Sequence, residues 1–116
     1  MIHVKPGVTW VYAPGVFRIL EALKAVSAAL GVDLTVTSAA DGVHSSPADP
    51  HYHGAALDVR SHDLEPDQRR TVLAGVLAEL GPKFTGFLEA PNTANEHFHF
   101  QRRVGTTYTM DDYLAA

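Results

Sequence analysis

The segment Glu96-His-Phe-His-Phe-Gln101 constrains this chain more than any other stretch of it. Polar and aromatic residues alternate with a period of two, the pattern of a β-strand with one buried face. Side chains at i and i+2 of a strand point the same way. Phe98 and Phe100 therefore share a face that can anchor the strand in a core, and His97 and His99 stand side by side on the other. Such a strand needs a sheet to receive it, an apolar layer over the phenylalanines, and a use for two adjacent imidazoles.

The remaining segments supply the layer and the sheet. Residues 1–12 read as a short strand or arm, and Pro14 suits the first turn of a helix. Val16, Ile19, Leu20, Leu23, Val26 and Leu30 then recur at three- and four-residue steps, and Gly31 suits the C-cap. Residues 32–38 alternate Val32, Leu34 and Val36 with polar partners, a half-buried strand ending at Ser38. Residues 39–53 carry neither period and hold Gly42, Pro47 and Pro50, a loop of the length that carries function or stays disordered. A short strand follows over residues 55–60, with Asp58 inside it. Pro66 opens a second helix whose apolar face is Val72, Leu73, Val76, Leu77 and Leu80, and Gly81 stops it. Residues 83–89 read as a strand, 90–95 as a turn-rich loop and 96–101 as the His/Phe strand. A last strand is predicted through Val104–Met110, followed by a short tail. The expected fold is α+β, two helices packed on a small antiparallel or mixed sheet, with residues 1–116 as one domain.

Composition narrows the chemistry. The 116 residues include seven histidines and no cysteine. Disulfides, thiolate zinc sites and thiol catalysis are thereby excluded, so a metal site has to be built from imidazole and carboxylate. A net charge of −4 with no basic block disfavours nucleic acid held by phosphate contacts. No apolar run approaches the ~20 residues that cross a bilayer. The N-terminus also lacks the apolar stretch of a signal peptide. No membrane partner is expected, the chain reads as soluble as made, and work outside a cell would need another carrier.

Asp58 lies in its strand between Leu57 and Val59. Burying that carboxylate alone would cost several kcal/mol, so a partner is required. His51 precedes it, and Gly54 with the two alanines after it removes bulk and allows loop and strand to approach closely. Zinc without sulfur is commonly held by three His and Asp/Glu ligands plus a water, and His51, Asp58 and one of His97 or His99 would supply that set. A carboxylate must then take the water's proton and pass it on. Glu96 adjoins the histidine pair and Glu89 ends the preceding strand; spacing leaves both open.

These residues also carry a resemblance. His51-Tyr-His-Gly-Ala-Ala-Leu-Asp58 matches an H-x-x-G-x-A-x-D signature, and Glu96-His-Phe-His99 matches an acid, two residues, then histidine. In both motifs the chain resembles the zinc D-alanyl-D-alanine peptidase family over roughly residues 19–101. That family includes D,D-carboxypeptidases and phage L-alanyl-D-glutamate endolysins, and the hedgehog signalling domain shares its fold. The resemblance implies His51, Asp58 and His99 as zinc ligands, Glu96 as general base and His97 on the oxyanion side of the site. It implies peptidoglycan stem peptides as substrate, and a phage particle or host cytoplasm, with action at the cell wall, as location. Other phage particle proteins are conceivable partners. Asp49 stands where many members have serine, and Ser38-Ala-Ala-Asp-Gly42 lacks the arginine that helps many of them hold substrate. Arg60 is a candidate carboxylate clamp in its stead, although its nearness to Asp58 is read as turning it to the opposite face. Two alternatives stay open: a zinc-binding virion component of weak or lost activity, and a metallohydrolase of another amide or ester. Of the other histidines, His44 and His53 read equally well as ordinary loop residues near a polar cleft, and His3 and His62 as exposed polar residues.

Overall fold

A computed structural model describes residues 1–41 and 49–116. Strands β1 (Ile2–Val4), β2 (Leu34–Ser38), β3 (Ala56–Arg60), β4 (Phe84–Glu89) and β5 (His97–Arg102) form one sheet in the order β1-β2-β3-β5-β4. β1 runs parallel to β2 and the other pairings are antiparallel, so the sheet is mixed. Helices α1 (Pro14–Leu30) and α2 (Pro66–Leu80) close one face of it.

Each helix starts and stops where its sequence says. α1 has proline in its first turn and ends at Gly31, whose φ of 65° is the left-handed conformation that glycine adopts without penalty. α2 opens with a capping box between Glu65 and Gln68, again with proline in the first turn. The apolar stripes Val16, Ile19, Leu23, Val26 and Val72, Val76, Leu80 are buried against Leu34, Val36, Leu57, Val59, Phe84, Phe98 and Phe100. At about 1.5–3 kcal/mol for each large side chain fully buried, this layer is the main force holding the sheet flat against the helices. Gly86 of β4 allows it to close: a Cβ there would lie 2.4 Å from Cδ1 of Phe100.

Two expectations need correction. The strand predicted through Val104–Met110 is absent; residues 104–109 are turn and irregular, and a third helix, α3 (Met110–Ala115), replaces the expected tail. The β-branched and aromatic residues of Thr106–Thr109 suggest a strand, but Thr109 and Asp112 form a capping box that starts a helix instead. Within the expected loop 39–53, Pro50–His53 form a short 3-10 helix capped by Asp49. His44 falls outside the described residues.

Register fixes what stands on the uncovered face. Asp58 of β3 is paired with His99 of β5, and Arg60 with His97. On the other side of β5, His99 is paired with Phe87 and His97 with Glu89 of β4. Directly opposed residues share a face. One row therefore runs Asp58–His99–Phe87 and the next Arg60–His97–Glu89, with Phe98 and Phe100 beneath them in the core. Arg60 is thus on the same face as Asp58, contrary to expectation, because two residues along a strand restore the facing.

Candidate metal centre

His51, Asp58 and His99 come together as buried neighbours, each offering one ligand atom within 4.8 Å of the others. Three segments deliver them. β3 and β5 present Asp58 and His99 through register, and the 3-10 helix after Asp49 brings in His51. Gly54 ends that helix at φ 65°, and a Cβ on it would lie 2.5 Å from the carbonyl oxygen of Val11. Its own carbonyl accepts from the Val16 N–H at 2.9 Å, tying the His51 segment to the start of α1.

The hydrogen bonds around the cluster decide which ring nitrogens face inward. His51 Nδ1 lies 2.7 Å from Oδ1 of Asp49, a carboxylate that can only accept, so Nδ1 carries the proton. Its Nε2 then faces Asp58 Oδ1 at 3.0 Å. His99 Nε2 lies 2.6 Å from Oε1 of Gln101, whose amide nitrogen donates to the Arg102 carbonyl and so turns its oxygen toward the ring. His99 Nδ1 faces the same Asp58 oxygen at 3.0 Å. Both outer nitrogens are committed as donors to side-chain oxygens. In the neutral rings both inner nitrogens are bare lone pairs aimed at a carboxylate. Three acceptors converging on one point need a cation between them, either protons or a metal ion. Outer N–H groups held by acceptors are how ligating histidines are oriented.

The electrostatics carry the same message. Burial works to raise the Asp58 carboxyl, but hydrogen bonds from His51 and His99 and the charges of His51 and His97 outweigh it and hold it well below the carboxylate range. Burial works to lower His51 and His99, but Asp58 outweighs it in both, helped by Asp49 at His51 and Gln101 at His99, and both are raised. A metal-free centre would therefore keep protons where a cation belongs.

A second group overlaps the first. Asp58, Glu89 and His97 also place ligand atoms within 4.8 Å of one another. His97 Nδ1 donates to the Asn95 carbonyl at 2.6 Å, leaving Nε2 bare. Nε2 lies 2.5 Å from Glu89 Oε2 and 3.6 Å from Asp58 Oδ2. The Glu89 contact is close but poorly aligned, so this buried nitrogen has no completed hydrogen bond among the described residues.

Glu96 is placed elsewhere. It shares strand parity with Phe98 and Phe100, and its carboxylate turns to their side of the sheet. There it accepts from the Ser61 hydroxyl at 2.9 Å and the Asn92 N–H at 2.8 Å, and pairs with Arg69 at 3.1 Å. These bonds, the Asn92 N–H foremost, hold its carboxyl below the usual range. The carboxylate that reaches the cluster is Glu89. Asp49 and Gln101 are site residues that the sequence also signals: Asp49 by preceding Pro50 as a helix cap, Gln101 by lying two residues past His99 on the same face. Among the remaining histidines, His3 lies 3.6 Å from Asp33, His62 bonds the Ala94 carbonyl, and His53 is exposed on the 3-10 helix.

The donor set fits zinc: two imidazole nitrogens and one carboxylate, sulfur-free, with both rings held from outside. The fold and cluster together define a compact α+β domain with the architecture of a zinc-type metal centre. No protein-family model matches the sequence, and neither curated proteins nor solved structures give a significant match.

Proposed function

We propose that this chain is a zinc-dependent hydrolase that cleaves an amide bond, with a peptide bond of peptidoglycan stem peptides as its substrate. The observation that carries the hydrolase reading is the convergence of His51 Nε2, Asp58 Oδ1 and His99 Nδ1 with both outer nitrogens already donating. Three protein ligands leave a fourth position open, the mark of a catalytic rather than a structural zinc site. The peptidoglycan assignment rests on the His51–Asp58 signature and its resemblance to the zinc D-alanyl-D-alanine peptidases.

Zinc bound there supplies Lewis acidity and a water acidified toward pKa ~7. The chain supplies the rest. His51, Asp58 and His99 hold the ion in one orientation because Asp49 and Gln101 fix the rings. Glu89 stands at the solvent edge, about half exposed, against the bare nitrogen of His97. This pair can accept the water's proton and return it to the leaving amine, the role the family resemblance assigns to Glu96. His97 in its protonated form can also donate a hydrogen bond to the developing oxyanion. Glu96, saturated by Ser61, Asn92 and Arg69, has no such task in this geometry.

The test is digestion of purified peptidoglycan by zinc-loaded and chelator-treated protein, with metal content measured by mass spectrometry. The expected result is about one zinc per chain held by the cluster, with new amine termini released only by the loaded protein. Mass analysis of the fragments names the bond. A loaded protein that releases no amine from cell walls or from simple peptide and ester substrates ends the hydrolase reading and leaves a zinc-binding scaffold.

A further inference from the structure

We propose that Asp58, Glu89 and His97 form a second, weaker site for a divalent metal ion, and that an ion bound there arrests turnover by occupying the groups that accept the water's proton. The arrest rests on the hydrolase reading; the site itself does not. Asp58 is shared between the two centres. Its Oδ1 lies 3.0 Å from both His51 Nε2 and His99 Nδ1. Its Oδ2 makes no hydrogen bond among the described residues and lies 3.6 Å from His97 Nε2. A carboxylate has two oxygens and about four lone-pair positions, so one aspartate can serve an ion on each side. Glu89 and His97 complete the second set, and its three ligand atoms lie within 4.8 Å of one another.

His97 is held as the two rings of the first centre are held. Its Nδ1 N–H is committed to the Asn95 carbonyl at 2.6 Å, which fixes the ring and leaves Nε2 toward Glu89 and Asp58. That nitrogen is buried and has no completed hydrogen bond among the described residues. A proton on Nε2 would point along one direction in the ring plane, and the close Glu89 oxygen is out of line with it. A metal ion collects lone pairs from several directions, so it satisfies His97, Glu89 and Asp58 together. One imidazole nitrogen and two carboxylate oxygens are a zinc-type donor set. Four features make this the weaker site. It has one imidazole where the first centre has two, and Glu89 is about half exposed. Arg60 adds positive charge opposite His97, and an ion in the first centre repels a second. Once an ion holds the lone pairs of Glu89 and His97, neither group can take up a proton.

Zinc alone is the probe. Chelator-treated protein is titrated with it by calorimetry, bound zinc is counted by mass spectrometry, and amine release from peptidoglycan is followed over the same range. Wild type should bind one zinc tightly and a second at least about tenfold more weakly. Turnover should rise as the first binds and fall by about 10²-fold or more as the second binds. Glu89→Gln and His97→Gln should each keep the first zinc and weaken the second by at least about tenfold. Asp58→Asn should lose both, whereas His3→Gln, at the exposed His3–Asp33 pair, should keep both. A single zinc at every concentration overturns the site. So does a second zinc that Glu89→Gln and His97→Gln both bind with wild-type affinity. A second zinc that these variants lose, but that leaves wild-type turnover unchanged or raised, overturns the arrest. Absence of amine release at every zinc concentration counts against the hydrolase reading instead, and stoichiometry alone then decides the site. Should one variant fail to fold, the other and the wild-type stoichiometry decide the matter.

Discussion

Two acids flank the start of β5, and the protein treats them in opposite ways. Glu96 faces the helices and is met by a hydroxyl, a backbone N–H and an arginine, so its charge is fully answered by the fold. Asp58, across the sheet, is met by imidazoles whose inward nitrogens are lone pairs once the rings are neutral. A satisfied carboxylate contributes to the structure and is chemically quiet. A carboxylate surrounded by bare nitrogens is an incomplete arrangement that a cation completes. The contrast separates a structural acid from a functional one more sharply than burial does, since both residues are buried.

The largest effect should follow from removing the centre of that arrangement. Asp58→Asn is expected to lower zinc affinity by at least about 100-fold, read by chelator competition. Wild-type affinity in this variant would place the metal outside the cluster. Next comes an exchange between Glu89, the last residue of β4, and Glu96, which immediately precedes β5. Glu89→Gln should keep zinc and lose about 10²–10⁴ in turnover. Glu96→Gln should keep turnover within about threefold and lose several degrees of Tm as Arg69 and Ser61 lose a buried partner. The reverse pattern would return the proton to Glu96 and undo the comparison. Smaller still are the outer supports. Asp49→Ala and Gln101→Ala should each weaken zinc by about 10- to 100-fold, through freed ring orientation.

The gentlest probe is pH. In the metal-free protein the folded Asp58 carboxyl lies below its ordinary value of 3.8, and the folded His51 and His99 imidazoles lie above theirs of 6.5. The stability contributed by Asp58 is present above 3.8 and is lost as pH falls toward its depressed folded value. The stability contributed by the histidines is intact below 6.5 and is lost as pH rises through their raised values. Metal-free Tm should therefore be highest between these limits and decline toward alkaline pH. Zinc should remove the alkaline decline, because it binds the neutral rings. A metal-free Tm that climbs from pH 6.5 to 8 would show that the imidazoles are not coupled to Asp58.

Much of the fold was legible because its signals are local. The stripes of α1 and α2, their prolines and glycines, and the alternation of β5 depend only on neighbours in sequence. The pairing of His99 with Asp58 across 41 positions has no local signature, and neither has the parallel docking of β1 on β2. His51 and Asp58 with one of His97 or His99 were nonetheless anticipated, because a charged residue inside an apolar strand demands partners of a specific kind, and the family resemblance chose His99. The placement of Glu96 and Arg60 is a different case. Parity alone puts Glu96 with Phe98 and Arg60 with Asp58, whereas motif resemblance for the first and mere adjacency for the second point the other way. α3 was missed because Thr106–Thr109 are good strand formers, and only the Thr109/Asp112 cap tips the balance.

Gly54 joins the His51 segment to α1 through main-chain atoms alone, with a close approach to Val11 on one side and a bond to Val16 on the other. Main-chain fastening specifies distance, and it requires that Gly54 carry no side chain. Gly54 itself admits no side chain, since a Cβ there would meet the Val11 carbonyl oxygen at 2.5 Å, and the segment is intolerant of insertion. Replacing apolar residues of α1 by others of similar volume leaves the anchor where it is. One additional residue between His51 and Asp58 lengthens the path by about 3.3 Å, against a metal–ligand tolerance of about 0.2 Å. Across variants of this protein, the number of residues from His51 to Asp58 should therefore be the most strictly kept quantity in the chain.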